Sequence, residues 1–148
     1  MRTTLVAALA LTLAACGSDS PTGPAKVVPP NLAGAATMTI TNLTVNIGGT
    51  PLVCNGTVPM TVTVVNDSAF TGRFSAGDVG CWRGAEDLGL LDLSASITGT
   101  RHGNALSFTD GYCTYLGTLT TSGVADGTIV CPDAGFTWRG AWSMGAPR

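Results

Sequence analysis

The sequence predicts an all-β protein, an antiparallel up-and-down meander closing into a small barrel of about eight strands. Three observations carry that expectation. Short segments rich in Thr, Val and Ile alternate apolar with polar residues, and no window of the body keeps apolar residues at helical spacing. Glycine, 20 of the 148 residues, recurs between and within those segments beside Asn and Asp, the residues that tight hairpins need. Three successive turns, each read by itself, bring one apolar set to one face.

The first fifteen residues stand outside that body. Arg2 supplies a small positive region, and residues 5–13 form an uncharged apolar run. It is far shorter than the roughly 20 residues a spanning helix needs, so 1–15 reads as a secretory signal peptide. The run ends in Leu13-Ala14-Ala15-Cys16, which resembles the lipobox of bacterial lipoproteins. The resemblance implies diacylglyceryl transfer to the Cys16 thiol, cleavage before it, and acylation of the new N-terminus with palmitate-class chains. The rival reading is an ordinary small-residue cleavage site beside an incidental cysteine. Several acyl chains anchor a protein stably without any spanning segment. Gly17 rather than Asp follows the cysteine, and by resemblance to lipoprotein sorting this implies the outer membrane of the cell envelope, facing periplasm or cell surface.

Residues 16–33 are rich in Ser, Pro and Gly and lack apolar periodicity, so they form a tether rather than part of a core. The barrel domain is 34–148. Its expected strands are 36–46, 58–66, 69–75, 93–101, 104–110, 112–120, 124–131 and 136–144, with hairpin turns at 66–68, 102–103, 110–111, 122–123 and 132–133. A turn centred on Ser122 pairs Cys113 with Cys131, Tyr115 with Ile129, Gly117 with Gly127 and Leu119 with Ala125. The turn at Asp110-Gly111 puts Phe108 opposite Cys113 and Leu106 opposite Tyr115. That at His102-Gly103 puts Ile97 opposite Phe108 and Gly99 opposite Leu106. The strand 136–144 agrees, alternating Phe136, Trp138, Gly140, Trp142 and Met144 with polar or small residues.

With Cys16 assigned to the anchor, Cys54, Cys81, Cys113 and Cys131 remain, an even number in an exported domain. Register pairs Cys113 with Cys131, and elimination leaves Cys54 with Cys81. Aligning Met60, Val62 and Val64 with Phe74, Gly72 and Phe70 leaves that second pair one residue out of register. A bulge near Pro59 or Gly77 would absorb the difference.

The recurring pairs Gly99-Thr100, Gly117-Thr118 and Gly127-Thr128 and the ending FTWRGAWS (136–143) resemble lipocalin-like or avidin-like barrels, over residues 93–148. An eight-stranded barrel is at the size where the interior is either filled or holds one small ligand. Phe108, Tyr115, Trp138 and Trp142 project inward by register and are core or ligand-lining. Residues 76–91 read as a long irregular loop over one mouth, with Trp82 either plugging the barrel end or touching a ligand. The five aromatic residues Trp82, Phe108, Tyr115, Trp138 and Trp142 are thus the ligand-binding candidates.

The function expected is a membrane-anchored envelope lipoprotein, monomeric, binding a small apolar or amphipathic ligand. The alternative is a structural or protein-interaction module with a filled barrel. An enzyme is not expected: His102, Lys26 and Glu86 are each the sole residue of their type, and no nucleophile elbow, phosphate loop or metal-ligand cluster occurs. No catalytic residue, cofactor or metal is therefore assigned. His102, Asp67, Asp110 and Asp133 read as turn residues. A formal charge of −2 lacks the basic footprint of a nucleic-acid binder.

Overall fold

The structure, a computed structural model, describes residues 31–122 and 125–148. The signal peptide 1–15, Cys16 and the tether as far as residue 30 lie outside the described residues, as do Gly123 of the turn at 122–123 and Val124 at the start of the expected strand 124–131.

The strands are β1 (Gly34–Val45), β2 (Leu52–Val64), β3 (Ala69–Phe74), β4 (Asp78–Arg83), β5 (Glu86–Leu90), β6 (Ala95–His102), β7 (Ala105–Thr109), β8 (Thr114–Leu119), β9 (Ala125–Asp133) and β10 (Phe136–Met144). All pairings are antiparallel, in the order β1-β10-β9-β8-β7-β6-β3-β2, and β1 closes the ring by pairing with β2 as well. That makes the expected closed barrel of eight strands. β4 and β5 are additional: β4 pairs with the first half of β2, and β5 with β4 alone.

The barrel is made by β2 changing neighbours. Its second half, from Met60 to Val64, pairs with β3, and its first half, from Leu52 to Thr57, pairs with β4. Between Phe74 and Asp78 the chain spends three residues opposite only Val58 and Pro59 on β2, which is the odd residue that the cysteines demanded. Pro59, which has no N–H, lies at this break, and its carbonyl accepts from Ser75 N at 2.9 Å. Gly77 fits here because a Cβ would come within 2.9 Å of the Val58 Cα. A second bulge bends β1 between Ile40 and Leu43. Asn42 adopts a left-handed φ of 50°, and its amide donates to Asn55 Oδ1 at 2.7 Å.

The stretch 76–91, expected as irregular loop, instead contains the β4–β5 hairpin. β4 keeps a strand's alternation, with Val79 and Cys81 buried, but every residue of β5 is exposed. With neither face buried, β5 carries no period-2 pattern to read.

The β8–β9 register is the expected one, with Tyr115 opposite Ile129, Gly117 opposite Gly127 and Leu119 opposite Ala125. Two others differ by two residues: Phe108 pairs with Tyr115, and Gly99 pairs with Phe108. In the first, the connection is a loop rather than a two-residue turn, because Asp110 Oδ1 accepts from Tyr112 N (2.8 Å) and Cys113 N (2.6 Å). In the second, His102 stays in the strand opposite Ala105, leaving Gly103 and Asn104 as the turn. Since a slip of two keeps every side chain on its face, the expected inner face survives both corrections. The last turn also moves, from 132–133 to Ala134 and Gly135, both with positive φ, as two-residue hairpins require.

Both disulfides are present: Cys54 on β2 to Cys81 opposite it on β4, and Cys113, the residue before β8, to Cys131 on β9, each with a Cα–Cα distance of 4.1 Å. Both lie toward the end of the barrel that carries the β4–β5 hairpin. The opposite end holds the start of β1 and the chain's C-terminus, where Ala35 and Arg148 exchange backbone hydrogen bonds.

Candidate functional site

Two places carry the residues singled out by sequence, the barrel interior and the hairpin end. In the interior, Phe108 stacks on Tyr115 with ring centroids 4.6 Å apart and an interplanar angle of 2°. Phe74 and Trp142 meet this pair edge-on, at 5.6 Å from Tyr115 and 5.3 Å from Phe108 respectively. These rings pack against one another across the barrel interior. Gly99 and Gly117 make room for them: a Cβ at Gly99 would meet the ring of Phe70 and the Cβ of Phe108, and one at Gly117 the indole of Trp142.

The polar tips of this cluster are satisfied internally. The Tyr115 hydroxyl donates to Asp110 Oδ2 at 2.9 Å, and Trp142 Nε1 donates to the Thr128 carbonyl at 3.2 Å. Burial, with the Asp110 carboxylate adding to it, pushes the Tyr115 phenol far above the usual range. No polar or charged residue is buried among the described residues, and no buried side-chain N or O there lacks a partner. Ligand pockets normally pair an apolar lining with a few such polar groups to orient the guest. An open groove of about 520 Å³ does occur, but it runs past Ala35, Pro59, Met60 and Arg148 and includes none of the five aromatic candidates.

Those five therefore do not converge. Phe108, Tyr115 and Trp142 belong to one core stack, Trp138 is half-buried against its edge beside Cys131, and Trp82 lies elsewhere. On β4, Val79 and Cys81 face inward, so Trp82 faces outward, and its ring covers Gly80 instead of closing the barrel mouth. His102 is exposed at the end of β6. Among the described residues, no three of His, Cys, Asp and Glu gather in a way that would hold a metal.

The hairpin end was missed as structure. The signal available for it was the need of Cys54 for a paired strand carrying Cys81. This end exposes Ile47, Trp82, Leu88, Leu90, Tyr112 and Phe136, whereas the opposite end exposes Val64 and Val65. It also carries the charge. The span 78–92 holds Arg83 against Asp78, Glu86, Asp87 and Asp92, a formal −3. Elsewhere among the described residues four Arg (73, 101, 139, 148) balance four Asp (67, 110, 126, 133). The whole negative excess of the described residues thus belongs to the hairpin and its exit.

No protein family, curated protein or solved structure matches this chain.

Proposed function

We propose that this is a lipid-anchored envelope protein, acylated at Cys16 and tethered through 16–33, whose filled barrel serves as a protein-interaction module. The observation that supports this reading is the aromatic stack of Phe74, Phe108, Tyr115 and Trp142, whose rings meet one another inside the barrel, where a carried ligand would have to sit. Two disulfides suit an oxidising compartment such as the envelope. The tether joins the barrel at the start of β1, the end opposite the hairpin, so the anchor does not cover the hairpin. A monomer on the outer membrane, facing periplasm or cell surface, fits that arrangement.

The test has two arms. Cys16→Ser is expected to move the protein from the membrane to the soluble fraction, and a variant that stays bound contradicts the anchor. Titration of the mature protein with a lipophilic probe is expected to leave Trp fluorescence unchanged. Saturable quenching would overturn the filled barrel and restore a small apolar or amphipathic ligand.

A further inference from the structure

We infer that the free edge of β5 takes up an extended, positively charged segment of a partner polypeptide as an additional strand. Among the described residues β5 is the one strand with a single neighbour; every other strand described is paired on both sides. All five of its residues are exposed, so both faces and the outer edge are open to water. Such an edge presents unpaired N–H and C=O groups, the main-chain half of recognition by strand addition. Leu91 N donates to the Val79 carbonyl, so by the antiparallel alternation the backbone groups of Leu90, one residue earlier, point to the free side.

The side chains supply the other half. Leu90 pairs across from Gly80, the residue that the Trp82 ring covers, which puts Leu90 and Trp82 side by side on the outer face. They are 71% and 39% exposed, so both are open to contact from outside. Around them stand Asp78, Glu86, Asp87 and Asp92 with only Arg83 to offset them. That charge selects the occupant. A second copy would bring an equal formal −3 against the first, and like charges across paired strands destabilise the pair. An anionic membrane surface is repelled for the same reason. A strand that alternates Arg or Lys with apolar residues meets both requirements: cations beside Glu86 and Asp87, and apolar side chains on Trp82 and Leu90.

This inference rests on the interaction-module reading and names the partner's chemistry. The test uses the mature acylated protein in detergent, with a synthetic peptide alternating Arg and Val and its counterpart alternating Glu and Val. The Arg peptide is expected to bind saturably, to weaken with salt, and to lose about tenfold in affinity with Glu86→Lys. Leu90→Pro, which removes the outward N–H, is expected to abolish binding while the thermal midpoint of the barrel is kept. A second variant, Trp82→Ala, keeps the backbone intact and is expected to weaken binding. Equal binding of both peptides, or indifference to all three variants, overturns the inference. So does a dimer in sedimentation that Leu90→Pro abolishes, which would make the occupant a second copy. The lipophilic-probe titration on the same preparation separates the two failures: no peptide binding with no quenching sinks the β5 edge alone, whereas quenching sinks the interaction-module reading.

Discussion

Trp142 and Trp82 carry the same side chain into opposite surroundings. Trp142 is 2% exposed, edge-on to Phe108, with its N–H bonded to the Thr128 carbonyl. Trp82 is 39% exposed and covers a glycine on the outside of a hairpin whose second strand buries nothing. The difference separates stability from the proposed recognition. Apolar area inside the barrel is withdrawn from water and holds the fold together. Apolar area on the hairpin remains in water beside acidic residues, where the proposed partner would meet it.

The largest effect that sharpens this contrast is truncation of the two indoles. Trp142→Ala removes a core ring and is expected to destabilise the fold by about 3–5 kcal/mol, whereas Trp82→Ala is expected to cost about 1 kcal/mol or less. Denaturant unfolding of both variants measures this, and comparable losses would break the distinction.

The disulfides give the next contrast. Removing the Cys113–Cys131 bridge, which spans the barrel wall, is expected to cost about 3 kcal/mol of global stability. Removing Cys54–Cys81 is expected to free the β4–β5 hairpin first. Hydrogen exchange then rises in 78–90 while β6 to β10 stay protected.

A third effect lies in the Asp110–Tyr115 contact. Folding raises the Tyr115 phenol above its usual value of 10.0, so above that pH the folded chain holds a proton that the unfolded chain releases. Stability supplied by this group is therefore full at neutral pH and falls as the solution becomes more alkaline than about pH 10. A spectrophotometric titration is expected to show Tyr112 ionising in the folded protein and Tyr115 only on unfolding. Asp110→Ala, which strips three hydrogen bonds from the loop, is expected to cost about 2 kcal/mol.

The smallest effect concerns the last turn. Ala134 holds a φ of 34° without glycine's freedom, and Ala134→Asn is expected to stabilise by about 0.5 kcal/mol. Thermal unfolding checks the sign.

The same contrast explains what could be read from the residues alone. In β8, β9 and β10 each strand buries one face, so Tyr115, Ile129 and Trp142 declare their side by alternation. The slips at β6–β7 and β7–β8 arose because Asp110 and His102 decide where a turn closes, and turn chemistry is local whereas the face is collective. Even the bulge was legible, since the cysteines required one residue more than the strands allowed. β5 was not, because Glu86, Asp87, Leu88, Gly89 and Leu90 are all exposed and nothing enforces a period. Phe108, Tyr115, Trp138 and Trp142 could be placed on the inner face but not counted against the volume available. Whether rings line a space or fill it depends on the stacking of Phe108 on Tyr115, and register alone does not contain that distance.

The central claim, a filled barrel on a lipid anchor, is tested most directly by native mass spectrometry of the protein purified from its own membranes. The account predicts a chain beginning at an acylated Cys16, with both disulfides formed and no small molecule retained. A stoichiometric apolar ligand in the spectrum, or a chain without acyl groups, would contradict it.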